Sequence, residues 1–297
     1  MTQAKVAIFC GKGGVGKTTL SLALGLRLAG QGRRVLVVSS HPLAELAIAV
    51  SLDGLATHYP VAARNLFVVH IDPKELLKEV VERNFPVEWV ARAVLNSSIY
   101  QNLIEVAPGL KEFYFLARLQ ALAERSAEGA PSYEALLWDA PATGHFLSTL
   151  GAARNFETFL TGPLAAAGGE LRRFYSSMAD IAVFPTTTLE EMAIEETWEL
   201  CDKLAAGYQL RPRAVVANLI SPLALAPEQE WAKLPARGEG ALGFALDRGA
   251  LERERIAELK RRLGGPLVGV ERIRHYRNDL DALHQIGEAL GGLPGWL

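Results

Sequence analysis

The sequence predicts an α/β protein with a doubly wound, mostly parallel sheet, and two observations support this fold class. Short apolar segments of the kind that form buried strands recur along the 297 residues, and stretches with helical periodicity separate them. Such alternation is typical of a parallel sheet that is covered by helices on both faces. The predicted strands are Val6–Cys10, Arg34–Ser39, Leu66–Ile71, Ala135–Ala140, Asp180–Pro185, Ala214–Asn218 and Pro266–Val270.

A glycine-rich segment directly follows the first strand and precedes a helix predicted from about Thr18 to Ala29. It fits the pattern G-x-x-x-x-G-K-[ST], and a strand before it and a helix after it are the context that this phosphate-loop (P-loop) motif requires. The segment could also be an ordinary glycine-rich turn. The loop residues expected to contact this chain's own nucleotide are Gly11, Gly13, Gly14, Val15, Gly16, Lys17, Thr18 and Thr19.

The residue types in this loop suit a nucleoside triphosphate. Glycines let consecutive backbone N–H groups turn toward phosphate oxygens, and the helix N-terminus adds the positive end of its dipole. Lys17 can reach the β- and γ-phosphates, and the Thr18 hydroxyl can bind Mg²⁺. ATP and Mg²⁺ are therefore the expected ligands.

Lys12 narrows the class of nucleotide-binding protein. A lysine on the outer side of the loop can be directed at a nucleotide held by a facing subunit, where it would neutralise charge in the transition state. A solvated loop lysine is the alternative. The whole string from Gly11 to Thr19 resembles the deviant P-loop of dimerising ATPases, which include partition and septum-site ATPases, the nitrogenase iron protein, and the ArsA-like anion-pump and tail-anchored-protein-targeting ATPases.

The segment after the fourth predicted strand resembles the second switch of the ArsA-like family. It reads Asp-Ala-Pro-Ala-Thr-Gly-His from Asp139 to His145. The resemblance implies that Asp139 acts on the Mg²⁺ side and that the Gly144 N–H senses the γ-phosphate. In that family the asparagine that corresponds to Asn218 reads adenine, which an amide can do with one donor and one acceptor.

The first switch departs from that family. Where the family has Asp-Pro-Ala, with the aspartate orienting or deprotonating the attacking water, this chain has His41 followed by Pro42. A neutral imidazole can accept a proton but lacks the charge and reach of the carboxylate. Glu45 is a possible substitute base, although an exposed helix glutamate is the ordinary alternative. The chain resembles the divergent member of a bacterial pair of adjacent ArsA-like genes.

The expected domain organisation is a single ATPase domain over residues 1–297. It carries an inserted helical subdomain at 73–131 and a second helical excursion at 144–178. The mixed-charge run Glu252–Arg262 is expected to form a solvated helix face. The amphipathic tail Asp279–Leu297 is expected to pack as a helix.

Composition excludes several classes of protein. The net charge of −2 argues against a nucleic-acid partner, and no apolar run is long enough to cross a membrane. Two distant cysteines, Cys10 and Cys201, support neither a disulfide framework nor a zinc clip, and they cannot supply the clustered thiolates of an arsenite pump. We expect a cytoplasmic protein.

Three functions follow from the resemblance. The first is an Mg·ATP-binding ATPase with slow or partner-dependent hydrolysis, acting as a homodimer or as a heterodimer with a sister ATPase. The second is an ATP-binding pseudo-enzyme that regulates a partner. The third is a partition-type positioning ATPase. The sequence does not identify a client or cargo.

Overall fold

The computed structural model describes residues 5–39, 65–72, 76, 78, 109–124, 133–159, 161–234, 240–274 and 279–294. Its centre is a seven-stranded sheet in which the paired strands are all parallel, in the order β3-β2-β4-β1-β5-β6-β7. Each predicted strand is present to within two residues at either end, and the α/β fold class is confirmed. The strands are β1 Val6–Gly11, β2 Val35–Ser39, β3 Leu66–His70, β4 Ala135–Ala142, β5 Ile181–Thr187, β6 Val215–Ile220 and β7 Leu267–Glu271.

Helices cover both faces of this sheet. The described ones are α1 Lys17–Gly30, α2 Leu110–Glu124, α3 Thr143–Phe159, α4 Pro163–Ser176, α5 Glu191–Tyr208, α6 Pro222–Leu225, α7 Glu228–Trp231, α8 Gly240–Leu263 and α9 Asp279–Ala289, and a 3₁₀ turn at Leu290–Gly292 follows. No helix among the described residues is both long enough and apolar enough to span a membrane.

Strand β1 shows how the two faces are divided. Ala7 and Phe9 lie in the core that α1 and α9 cover, whereas Ile8 and Cys10 lie in the core under α2, α3 and α4. Successive side chains of a strand point to opposite faces, so a strand buried on both faces must be apolar throughout. All six residues of β1 are buried, so the glycine-rich loop follows directly from a fully buried strand.

The C-terminal segment packs into the domain, as its amphipathic pattern indicates. Leu283 on α9 and Leu290 after it are buried in the core formed with α1. The mixed-charge run on α8 is solvated only in part, because Glu252 and Leu259 are buried. The expectation of a solvated helix face was therefore wrong at Glu252.

Much of the predicted helical insert lies outside the described residues. Within 73–131, the structure describes α2 and the isolated residues 76 and 78 as helical. Helices α3 and α4 occupy the segment predicted as a second helical excursion. The division of the chain into one domain with an insert stays a prediction.

Candidate nucleotide site

The glycine-rich loop lies at the carboxyl edge of the sheet, between β1 and α1. Strand β1 is central, with β4 on one side and β5 on the other. In open α/β sheets, ligands bind in the crevice outside the carboxyl ends of the strands, where the strand order reverses. The fold therefore presents the loop at the expected binding position.

Three glycines give this loop its shape. Gly11, Gly14 and Gly16 have φ angles of 140°, 82° and 93°, which residues with a side chain rarely adopt. Gly11 also lies against β5, since a Cβ added there would be 2.3 Å from the carbonyl oxygen of Thr186. Glycine is therefore strongly favoured at these positions, most of all at Gly11.

Lys17 folds back over the loop that precedes it. Its ammonium donates hydrogen bonds to the carbonyl oxygens of Gly11 at 3.1 Å and Lys12 at 2.9 Å, and the residue is only 8% exposed. Burial lowers the pKa of Lys17, while the nearby Asp139 carboxylate opposes that shift. A buried cation whose charge the protein disfavours is suited to receive an anion.

Thr18 and Asp139 meet although they are 121 positions apart in the chain. The Thr18 hydroxyl donates to Asp139 Oδ2 at 2.7 Å, and Asp139 is 1% exposed. Asp139 lies beside Phe9 and Ser39 in the strand register, and the Ser39 hydroxyl donates to the same oxygen at 3.4 Å. A hydroxyl and a carboxylate are the oxygen donors with which P-loop proteins hold Mg²⁺.

Asn218 reaches the loop from β6. Its Nδ2 donates to the carbonyl oxygen of Val15 at 2.8 Å, and the residue is 5% exposed. The structure thus brings Asn218 to the same site as Lys17 and Thr18.

The remaining predicted site residues are less closely engaged. Thr19 is half-buried on the first turn of α1, and Gly13 is exposed. Gly144 is exposed on the first turn of α3, and a Cβ added there would meet no atom within 4 Å. His41 and Glu45 lie outside the described residues.

Two residues near the site, Ser39 and Thr186, were not predicted from the sequence. Ser39 binds Asp139, and the Thr186 carbonyl packs against Gly11. A polar residue at the carboxyl end of an apolar strand is the signal that could have identified both.

A cavity of about 410 Å³ lies along the same edge, lined by Leu219, by Arg272 and by residues of α8.

The structure offers no soft-metal site within its described residues. Burial raises the pKa of Cys10 well above its usual value and that of Cys201 to about 12, so neither thiol is ionised at neutral pH. No group of three or more His, Cys, Asp or Glu in the described part of the chain could hold a metal ion.

Comparison with known proteins agrees with this geometry. The sequence model of the anion-transporting ATPase (ArsA ATPase) family matches residues 4–210. The chain is 28% identical to a putative arsenical pump-driving ATPase 2 of Aquifex aeolicus over 252 residues, which cover 73% of this chain and 81% of the relative. It is 27% identical to the ATPase BagA of Mycobacterium tuberculosis over 247 residues, covering 80% and 71%. It is also 29% identical to the ATPase get3 of Schizosaccharomyces japonicus over 179 residues, covering 58% and 50%.

The family match includes the P-loop and Asp139 and ends before Asn218. A match over more than half of the chain, together with a parallel sheet that carries the P-loop after its central strand, establishes the relationship. The chain belongs to the anion-transporting (ArsA-like) ATPase family, whose members are P-loop ATPases of α/β fold.

Proposed function

We propose that this chain binds Mg·ATP in the loop Gly11–Thr19, hydrolyses it slowly or only with a partner, and changes its association with a second subunit as it does so. The observation that carries this proposal is the arrangement of Lys17, Thr18 and Asp139 at the end of β1. The three side chains are buried or half-buried together, and each has the chemistry that phosphates or Mg²⁺ require.

The charge of Lys17 supports binding of a phosphate group. The Lys17 ammonium donates to two neutral carbonyl groups, and burial disfavours its charged form. A phosphate oxygen would compensate that charge and raise the lysine pKa again. We therefore expect nucleotide affinity to fall as pH rises toward the pKa of Lys17, at a pH below the ordinary lysine value of 10.5.

The residues that would hold Mg²⁺ are Thr18 and Asp139. Their oxygen donors already lie 2.7 Å apart, and both are hard ligands of the kind that Mg²⁺ prefers. When bound, Mg²⁺ neutralises charge on the β- and γ-phosphates. The Thr18 and Ser39 hydroxyls orient the Asp139 carboxylate, because both donate hydrogen bonds to its Oδ2 atom.

Slow hydrolysis is proposed because His41 stands where the resemblance places a catalytic aspartate. Removing a general base typically lowers the rate by about 10²–10⁴-fold. The same replacement supports the second candidate function, an ATP-binding pseudo-enzyme that regulates a partner. Turnover of the purified protein decides between them, and His41→Asp should raise that turnover in either case.

A partner subunit is proposed from Lys12. Its backbone carbonyl binds Lys17, and within the described residues its own ammonium makes no hydrogen bond or ion pair. A cation on the outer side of the loop is suited to a nucleotide in a facing subunit. We propose an ATP-favoured heterodimer with a sister ATPase that keeps the Asp-Pro-Ala switch, or otherwise a homodimer, and place the protein in the cytoplasm.

A partition-type role receives less support. Such a protein would be expected to use a basic surface or a terminal amphipathic helix. The tail helix α9 buries Leu283 against α1, so its apolar side is packed in the core.

Isothermal titration of Mg·ATP tests the nucleotide site. Lys17→Ala should weaken binding at least tenfold, which corresponds to about 1.4 kcal/mol. The matched control is Lys203→Ala, which removes an exposed lysine paired with Glu199 on α5 and should leave the affinity unchanged. Equal affinities for wild type and Lys17→Ala would refute the site.

Light scattering and turnover test the partner. In a mixture with the sister chain, Lys12→Ala should depress the sister's turnover and leave this chain's own ATP affinity nearly unchanged. A protein that stays monomeric with and without ATP, alone and with the sister, would contradict the dimer.

A further inference from the structure

The Asn218 side chain is packed directly against the P-loop. Its Nδ2 donates to the Val15 carbonyl at 2.8 Å, across 203 positions of sequence. Asn218 Nδ2 also lies close to Gly16, since a Cβ added to Gly16 would be 2.3 Å from this nitrogen. The amide therefore lies against the Val15–Gly16 peptide group on the side of the Val15 carbonyl oxygen and the Gly16 Cα.

The backbone of β6 is distorted where it presents this side chain. Ala217 pairs with Gly269 and Ile220 pairs with Glu271, so β6 has one more residue than β7 between these two pairs. This extra residue makes a β-bulge, a feature that changes the direction of side chains. Leu219, next to Asn218, has a φ angle of 59°, which is uncommon for any residue with a side chain and marks a conformation imposed by its surroundings.

The hydrogen bond constrains the part of the loop that faces the phosphates. A peptide group is planar, so its C=O and N–H point in opposite directions. Because Asn218 holds the Val15 carbonyl, the N–H of Gly16 is directed away from Asn218. Gly14 and Gly16 both have positive φ angles, and glycines would otherwise let this peptide rotate easily.

We propose that Asn218 is a positioning residue for phosphate binding, which holds the Val15–Gly16 peptide so that the Gly16 N–H is available to a phosphate oxygen. Rotation of that peptide would instead present a carbonyl oxygen to the anion. This inference rests on the proposed function, since it assumes that the loop binds phosphates. This role of Asn218 is separate from contact with adenine. The Nδ2 hydrogen that binds the Val15 carbonyl points at the loop, and holding that peptide group in place does not require a base.

A ligand without a base separates the two roles. Isothermal titration compares Mg·ATP with Mg·tripolyphosphate for the wild type and Asn218→Ala. Loss of one buried hydrogen bond should weaken both ligands by a similar factor, about five- to tenfold. Asn218→Asp, which keeps the shape but loses the donor, should weaken both at least as much. Circular dichroism at the titration temperature checks that each variant is folded, and Asn218→Ser replaces any variant that is not.

Asn65→Ala provides a matched control. The Asn65 Nδ2 likewise donates to a backbone carbonyl, that of Gly32, at 3.1 Å, in the turn region before β2 and β3 at the opposite edge of the sheet. This variant should bind both ligands as the wild type does.

A loss confined to ATP would overturn the proposal and leave Asn218 as a base-reading residue only, and unchanged affinity for both ligands would overturn it as well. If tripolyphosphate binds the wild type too weakly to titrate directly, its affinity is measured by competition with ATP, and only a loss shared with ATP supports the proposal. A wild-type protein that binds none of these ligands would instead refute the proposed nucleotide site, so the two failures are distinguishable.

Discussion

Two parts of the candidate site are built differently. The phosphate side, at the ends of β1 and β4, consists of a glycine loop and the hydrogen bonds made by Lys17 and between Thr18 and Asp139. The β6 side, at the ends of β6 and β7, consists of a bulge, a leucine with a positive φ angle and a single amide that reaches across to the loop. The phosphate side falls within the family match, and the β6 side falls beyond it.

The difference reflects how each part obtains its geometry. On the phosphate side the backbone conformation follows from residue type, because glycine adopts those φ angles at little cost. On the β6 side the backbone adopts an unfavourable conformation that neighbouring contacts must maintain. We therefore expect substitutions on the phosphate side to change chemistry, and substitutions of the residues that maintain the β6 backbone to change stability, with Asn218 as the one β6 side chain expected to act on ligand binding.

Asp139→Asn should have the largest effect. The substitution keeps the size of the side chain and removes the charge that faces the Thr18 hydroxyl, and we expect turnover to fall by at least about 10²-fold. Phosphate release measures this, in the wild type or, if its turnover is below detection, in the His41→Asp background.

The control for this substitution is Asp180→Asn, which removes a carboxylate paired with Lys5 just before β5, at the opposite edge of the sheet. It should leave turnover unchanged. Unchanged turnover in Asp139→Asn would show that catalysis does not depend on the carboxylate at the end of β4.

The sequence predicted the phosphate side well for a physical reason. Apolar segments buried on both faces are easy to recognise as strands, and their order puts the residues at their carboxyl ends along one edge. Asp139 follows the apolar run Ala135–Trp138, so its position near the loop could be anticipated from pattern alone. The family match covers this region as well.

The β6 side was not predictable in the same way. Nothing in Val215–Ile220 signals a bulge, because leucine is not a residue that favours positive φ angles. The contact between Asn218 and Val15 joins distant parts of the chain, and Glu252 stands in a charged run that looks solvated. Each of these features depends on tertiary contacts that no local pattern contains.

Glu252→Ala should have the next largest effect, on stability. The buried Glu252 carboxylate accepts hydrogen bonds from the Ser221 backbone N–H at 2.6 Å and from Arg248 at 2.8 Å. Removing it leaves a buried N–H unpaired immediately after β6, at a cost of about 2–3 kcal/mol in the free energy of unfolding. Urea denaturation at equilibrium measures the loss.

Glu258→Ala on the same helix is the matched control. Glu258 is about half exposed and pairs with Arg262 one turn away, and such surface pairs contribute less than about 0.5 kcal/mol. Equal losses for the two variants would show that Glu252 does not anchor the segment after β6.

The smallest expected effect tests the bulge itself, by comparing glycine and alanine at Leu219. At a φ angle of 59° a Cβ atom costs about 1 kcal/mol, so Leu219→Gly should be more stable than Leu219→Ala by about that amount. Leu251 is also partly exposed but lies within α8, where glycine is less favourable than alanine by about 1 kcal/mol. The sign of the glycine–alanine difference should therefore reverse between the two positions. Because each difference compares two truncations of the same leucine, the lost side-chain contacts largely cancel and the backbone contribution remains. If alanine were the more stable residue at both positions in urea denaturation, Leu219 would not be held in the left-handed conformation, and the bulge would lose its role in directing Asn218 at the P-loop.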